Sequence, residues 1–394
     1  MKKILAIISL AFLLGSCLKE PDFHSYQVNL VVDFGTDFPQ GKKGGAKVTL
    51  SNQLKSYNFE TETDPDGKIQ FASVEPGFYS VTVSHSFSSE GRMYYYNGLK
   101  NIEIFDNTSD SIKVNGTNSS AFVIKEFYYS GSTTPAGKAY SADQYIEIFN
   151  NSPELQYADG ISVLEHDSYG TGQNYWANIK DTIVLRMIWT IPGSGKQVPV
   201  LPGKSIVLAR TGINHRDDPN GNPLSPVNLG NADFEFYVAK QPETDIDSPT
   251  VPNLEENIFV FRGNDVTFSV KGSSAIAIAK IPGNTSEQRM EYIRKNLISK
   301  ASASGSKIYD YPKIANKYVL DAVEPVMDEA HAIYKRFPPS LDAGYTYVAS
   351  GSGSGKCIRR KIKEITGGRV VYQDTDNSTE DFLKDVDPKP KIYE

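Results

Sequence analysis

The chain has 394 residues, with 41 lysines and arginines against 47 acids and a formal net charge of −6. Its longest basic run, Arg359-Arg360-Lys361, is too small to build the basic face that phosphates require, so nucleic acid is not expected as a binding partner. The length suits two or three domains. With two cysteines in the whole chain, folding must rest on hydrophobic cores and not on a disulfide framework.

Met1-Lys2-Lys3 is followed by the apolar stretch 4–14 and then Gly15-Ser16-Cys17. Two lysines and a short apolar run make a secretory signal, because a bilayer span needs roughly 20 apolar residues. Leu14-Gly15-Ser16-Cys17 matches the bacterial lipobox. Residues 1–16 are therefore expected to be a signal peptide and Cys17 the lipidated first residue of the mature protein, anchored by its acyl chains. Loss of Lys2 and Lys3 would take the net charge from −6 to −8. Residues 17–26 then form a tether. Its start, Leu18-Lys19-Glu20-Pro21-Asp22, resembles the charged export signal of Bacteroidota surface lipoproteins. That resemblance implies the outer face of the outer membrane, with a periplasm-facing anchor as the alternative. Cys357 is left without a partner and is expected to be a buried structural thiol.

Val28, Leu30, Val32 and Phe34 alternate on one face, and period-2 runs recur at 46–50, 78–83 and 101–104. Such short alternating strands predict a half-buried antiparallel sandwich over 27–116. Thr63-Asp64-Pro65-Asp66-Gly67, then Val74-Glu75-Pro76-Gly77-Phe78-Tyr79, resembles the prealbumin-like, carboxypeptidase-regulatory-like module. The resemblance implies a stalk or spacer. Asp64 and Asp66 belong to a turn, since the sixth position of a calcium loop would be Ile69 where glycine is needed.

A small polar stretch, 116–120, separates this from a second domain at 121–385. The strand 121–129 leads to Asp143-Gln144-Tyr145-Ile146-Glu147-Ile148-Phe149-Asn150, then Asp159-Gly160-Ile161 and Leu201-Pro202-Gly203. The order resembles a lamin-tail type of immunoglobulin-like sandwich. Glu126 and Glu147 stand at that family's two glutamates, and Asp374–Phe382 matches its closing pattern. Residues 211–344 read as an insertion and 386–394 as a C-terminal tail. The insertion predicts two short helices. Thr285 and Gln288 make a capping box ahead of Met290, Ile293, Leu297 and Ile298. The second starts near Glu324-Pro325 and carries Val326, Met327, Ala330, Ile333, Tyr334 and Phe337. The expected fold is mainly β: two immunoglobulin-like or prealbumin-like β-sandwiches in tandem, the second bearing the insertion with its helices. The arrangement resembles an uncharacterised family of Bacteroidota surface lipoproteins, a domain of unknown function.

Chemistry-bearing patterns are sparse. Gly351-Ser352-Gly353-Ser354-Gly355-Lys356 lacks the leading glycine and the following Ser or Thr of a phosphate loop, and Gly193-Ser194-Gly195-Lys196 fails likewise. No catalytic set and no cofactor motif emerges, so the chain is expected to be non-enzymatic. One loop offers metal donors, His215 with Asp217, Asp218, Asn220 and Asn222, although Pro223 stands where a calcium loop needs glycine. Ser111 and Thr182 sit in Asp-Ser-Ile and Asp-Thr-Ile, which resemble the acceptor of Bacteroidota O-glycosylation. Tyr169, Tyr175 and Trp176 are the binding candidates, because aromatic rings on loops suit sugar or protein contacts. The expected role is a surface lipoprotein that binds a ligand or protein partner, as accessory to a TonB-dependent outer-membrane transporter. The alternatives are a surface enzyme acting on glycan or nucleic acid, and a structural or adhesive stalk.

Overall fold

The computed structural model describes residues 24–393 apart from 36–37, 39–41, 56, 90–91, 119, 154, 168–171, 173, 241–244, 261–264 and 303. Cys17 and Tyr169 lie outside the described residues, as do the leader and most of the tether. The fold is mainly β, in two successive sandwiches.

The first unit holds strands β1 (Tyr26–Asp33), β2 (Lys47–Asn52), β3 (Asn58–Glu62), β4 (Lys68–Val74), β5 (Gly77–Ser89), β6 (Arg92–Ile104), β7 (Thr108–Lys113) and β8 (Asn115–Asn118). Two sheets form, β4-β1-β7 and β3-β2-β5-β6-β8. Side chains alternate across a strand, so Val28, Leu30 and Val32 enter the core while their neighbours face outward. There they meet Val48, Leu50, Tyr79, Val81 and Val83 of the other sheet. Asp64 closes the turn before β4: its Oδ1 accepts the Asp66 and Lys68 amides at 2.9 and 2.8 Å. Gly67 follows with φ of +81°, a conformation that glycine alone takes at little cost.

The second unit begins with β9 (Phe122–Tyr128), β10 (Ser132–Thr133), β11 (Ala139–Tyr140), β12 (Tyr145–Asn150), β13 (Gln156–Tyr157) and β14 (Ile161–His166). It continues with β15 (Thr182–Thr190), β16 (Pro199–Val200), β17 (Ser205–Ala209), β18 (Phe234–Glu235), β19 (Glu255–Phe259), β20 (Ile276–Lys280) and helix α1 (Ser286–Lys295). Then come β21 (Leu297–Ala301), β22 (Ile308–Ala315), β23 (Val319–Val323), β24 (Cys357–Arg360), β25 (Ile362–Thr366), β26 (Arg369–Tyr372), α2 (Ser378–Asp381) and β27 (Phe382–Val386). One main sheet runs β18-β17-β12-β9-β24-β27, the other β21-β22-β15-β14-β20-β23 with β19 also on β15. Between them Ile124, Phe127, Ile146 and Ile148 pack against Val163, Met187, Trp189 and Ile278.

Residues 211–344, expected as an insertion, are woven into this sandwich. β20 pairs with β14 and β23 with β20, while β22 and β19 pair with β15, so the segment supplies the strands that flank β14 and β15. The same segment covers that sheet's outer face, where Leu164, Ile188 and Ala277 meet Ile293 of α1, Ile314 and Phe337. This is why β14 is buried at every residue instead of alternating. Helix α1 starts at the expected capping box, but Leu297 and Ile298 belong to β21. Asn296 caps the helix, and the chain then pairs with β22. The second expected helix shrinks to a 3-10 turn, Glu329–Tyr334. Pro325 instead bridges to Thr346, and the buried Glu324 carboxylate accepts the Arg336 and Phe337 amides at 2.9 and 2.8 Å. Met327 and Ile333 are left exposed.

The expected C-terminal tail is tied down by Glu126 and Glu147. Glu126 accepts the Lys389 amide at 2.8 Å and Glu147 the Lys391 amide at 3.1 Å. Lys125, fully buried, pairs with Glu147 at 2.9 Å, and Arg359 pairs with Glu126. Burial pushes the Glu147 carboxyl up, against the pull of Lys125. The two units touch where Asn97 Nδ2 donates to the Thr375 and Asp376 carbonyls.

Candidate functional site

Strand β15 shares one edge between two antiparallel partners. Thr182, Ile183 and Val184 pair with Ala315, Ile314 and Lys313 of β22. Farther on, Met187 to Thr190 pair with Phe259 to Glu255 of β19, and the opposite edge belongs to β14. Two strands cannot occupy one ladder, so the start of β22 peels away and pairs with β21 alone. An open groove of about 540 Å³ lies at this fork, lined by Lys240, by Glu256 to Val260 and by Ile308, Tyr309 and Asp310. That volume is in the range of small-ligand sites.

The β21–β22 ladder sets an aromatic rim beside it. Lys300 stands opposite Tyr309, and Ile298 opposite Tyr311, so Lys300, Tyr309 and Tyr311 share one face. The turn 174–178 brings Tyr175 and Trp176 to the same place. Its base is Asn174, whose Nδ2 donates to the Lys335 and Arg336 carbonyls at 3.1 and 3.2 Å while Oδ1 accepts the Trp176 amide at 2.9 Å. Lys300 Nζ then lies 3.8 Å from the Tyr175 ring centre, 5.2 Å from Trp176 and 5.8 Å from Tyr311. Each such cation–ring contact contributes about 0.5–2 kcal/mol, depending on desolvation. Trp176 meets Tyr311 edge-on at 5.8 Å. Asp167 completes the group, accepting Trp176 Nε1 at 2.7 Å and pairing with Lys300 at 3.5 Å. Burial, with the Asp167 charge beside it, pushes the Tyr311 phenol up. His166 is buried behind, held down at about 3 by burial and by the charges of Arg336 and Lys300, and so neutral. The rim is thus a preorganised cation and aromatic set, with Tyr175 64% exposed.

The structure joins Tyr175 and Trp176 to partners that sequence reasoning missed: Lys300, Tyr309, Tyr311 and Asp167. One signal was available. Ile308-Tyr309-Asp310-Tyr311 alternates, which places both tyrosines on one face of a strand.

The other candidate residues do not converge. His215 is fully buried, and both ring nitrogens face protein groups: Nδ1 lies 2.7 Å from the Tyr140 hydroxyl and Nε2 3.1 Å from the Thr211 carbonyl. Asn222 is buried too and donates to Ser132 Oγ at 2.8 Å. Asp217 accepts from Asn214, and Asp218 from the Asn220 amide. The five donors therefore brace a loop and do not ring a cation. Among the described residues no group of three or more His, Cys, Asp or Glu is placed to hold a metal ion. Ser111 is exposed on β7, whereas Thr182 is half-buried in the β15–β22 ladder. Cys357 is buried, and burial pushes its thiol up. The Gly193–Lys196 segment wraps Asp159, whose carboxylate accepts the Gly195, Gln197 and Val198 amides.

Residues 201–389 match the family DUF4876, described as a protein of unknown function. This span includes β19 to β22 but not β15 or the turn at 174–178. A crystal structure of a DUF4876 family protein from Bacteroides thetaiotaomicron VPI-5482 is similar over 92% of this chain and 96% of its own, with 29% identity and a TM-score of 0.61. No curated protein matches. The likeness to DUF4876 proteins therefore extends from the second unit, by sequence, to nearly the whole chain, by fold.

Proposed function

We propose that this chain is a non-enzymatic lipoprotein of the outer-membrane surface, anchored through Cys17, that binds an extracellular glycan at the strand fork. Its place would be as accessory to a TonB-dependent uptake system. The observation that carries the binding role is Tyr175: a large ring held 64% exposed by Lys300 beneath it, whose strand partner Tyr309 lines the open groove. An aromatic face covers the apolar face of a sugar ring, and Glu256, Asn257 and Asp310 offer polar partners for hydroxyls. The lipobox and the charged residues after it support the surface location.

Titration of the purified chain with a panel of soluble polysaccharides, for native protein and Tyr175→Ala, tests the site. The expected result is a loss of about tenfold in affinity, which corresponds to ~1.4 kcal/mol. Equal affinity in both proteins rejects the fork as the site. Capture of the chain from outer membranes should recover a transporter; recovery of none rejects the accessory role. Impermeant labelling of intact cells tests the exposed face. Glu256 and Asp310 in one groove favour a second reading, a glycosidase working through two carboxyls. Release of reducing ends by native protein but not by Glu256→Gln or Asp310→Asn would select it.

A further inference from the structure

The end of the first sandwich where the tether enters carries an apolar crown. β1 starts there: Tyr26 pairs with Val74, and the Gln27 amide donates to Asn107 Oδ1 at 2.9 Å. The turns that meet at this end are those after β2, β4 and β6, since Asn52 pairs with Tyr79 and Gly77 with Ile104. Three large apolar side chains are exposed there: Leu54 in the turn after β2 at 83%, Phe78 at the start of β5 at 42% and Phe105 in the turn after β6 at 54%. The two rings touch edge-on at 5.6 Å, and the Gln53 amide bonds to the Phe78 carbonyl at 2.9 Å, which brings the Leu54 turn against them. The second unit touches the opposite end, through Asn97 and the Lys47–Glu380 pair.

We propose that this crown docks on the lipid bilayer, so that the first unit stands on the membrane and carries the second away from it. The inference rests on the reading of Cys17 as the lipid anchor. His24 stands seven positions after Cys17, a reach of at most roughly 25 Å at 3.3–3.6 Å per residue. The end that bears Tyr26 is therefore the one the anchor holds near the membrane. Monomer surfaces seldom group exposed apolar side chains without a partner, and interfacial contact buries apolar groups about 5–10 Å into the headgroup boundary. Charge selects the lipid. Lys55 pairs with Glu75 at 2.6 Å, and Glu103 and Asp106 are exposed nearby, so the crown has no excess positive charge for anionic headgroups. Docking is apolar, on a zwitterionic surface, and insensitive to salt.

The test uses Phe105→Trp in the full chain purified from bacterial membranes and reconstituted in phosphatidylcholine vesicles with brominated acyl chains. Both native tryptophans, Trp176 and Trp189, lie in the second unit, so the unchanged chain supplies the background. The expected result is a blue-shifted added emission, quenched at least twofold by the brominated lipid and unchanged in high salt. Adding Leu54→Ser and Phe78→Ser should remove most of the quenching. Mass spectrometry of the N-terminal peptide reads the anchor separately. Unquenched, water-like emission from vesicle-bound, acylated protein overturns the docking and leaves the anchor standing. An unmodified Cys17 overturns both. A blue shift without lipid that grows with protein concentration assigns the crown to a second copy and also overturns the proposal.

Discussion

Arg360 is fully buried at the junction of β24, β23 and the 374–381 segment. Its guanidinium pairs with Asp321 at 2.6 Å, Asp374 at 3.0 Å and Asp381 at 3.3 Å. It also donates to the Ile124 and Gln373 carbonyls at 2.9 and 3.0 Å. Arg360→Met keeps much of the volume and removes the charge. Truncating one partner of a buried pair costs about 3–5 kcal/mol, and here three carboxyls are left behind. Part of that loss must depend on pH. Burial, against the pull of Arg360, already raises Asp374 to about 7 and Asp381 to about 6. A raised carboxyl holds its proton more tightly folded than unfolded. Its penalty is therefore absent below the unfolded value near 4 and grows as pH rises through 6 and 7. Without Arg360 both carboxyls rise further. The stability gap between native protein and variant should accordingly be smaller at pH 5 than at pH 8. Urea unfolding followed by fluorescence of the buried Trp189 reads the second unit. A gap that is equal at the two pH values, or below about 1 kcal/mol at pH 8, refutes the reasoning.

Three further outcomes follow from other parts of the second unit. Thr285→Ala removes the capping-box acceptor of α1 and should lower stability by about 1 kcal/mol in the same urea assay. Ending the chain at Val386 strips the Lys389 and Lys391 amides from buried Glu126 and Glu147. At about 1–3 kcal/mol for each unsatisfied group, the melting temperature should drop by several degrees. Burial holds His166 and His215 down at about 3 and about 4. The unfolded chain then takes up protons first, so stability is full above about pH 6.5 and falls as pH drops toward 4. His215→Gln should flatten that acid limb in denaturation curves between pH 6.5 and 4, and zinc should leave the melting temperature of the native protein unchanged.

Strands β1, β2 and β5 were legible because one face is core and the other water, which writes a period of two into Val28, Leu30 and Val32. The capping box of α1 was legible because Thr285 and Gln288 satisfy their own helix end. Leu297 and Ile298 misled, since Leu297 stands four residues after Ile293 and so continues the helical stripe past the Asn296 cap into β21. The stripe after Glu324 misled for another reason: a buried carboxylate ties the Arg336 and Phe337 amides back and leaves room for only a 3-10 turn. Of the candidate site, Tyr175 and Trp176 were visible as an aromatic cluster, while Lys300 and Asp167, more than 120 residues apart, were not.

Local sequence alone carried the expected anchor at Cys17, the mainly β class, the turns at Asp64 and Gly67 and the start of α1, because each rests on neighbours along the chain. Tertiary structure alone decided that 211–344 supplies the strands flanking β14 and β15, that β15 forks between β19 and β22, and that Leu54, Phe78 and Phe105 meet at one end. Those outcomes depend on which strands find a shared ladder. Backbone hydrogen bonds are the same for every residue, so pairing between distant strands is settled by packing and leaves no local mark.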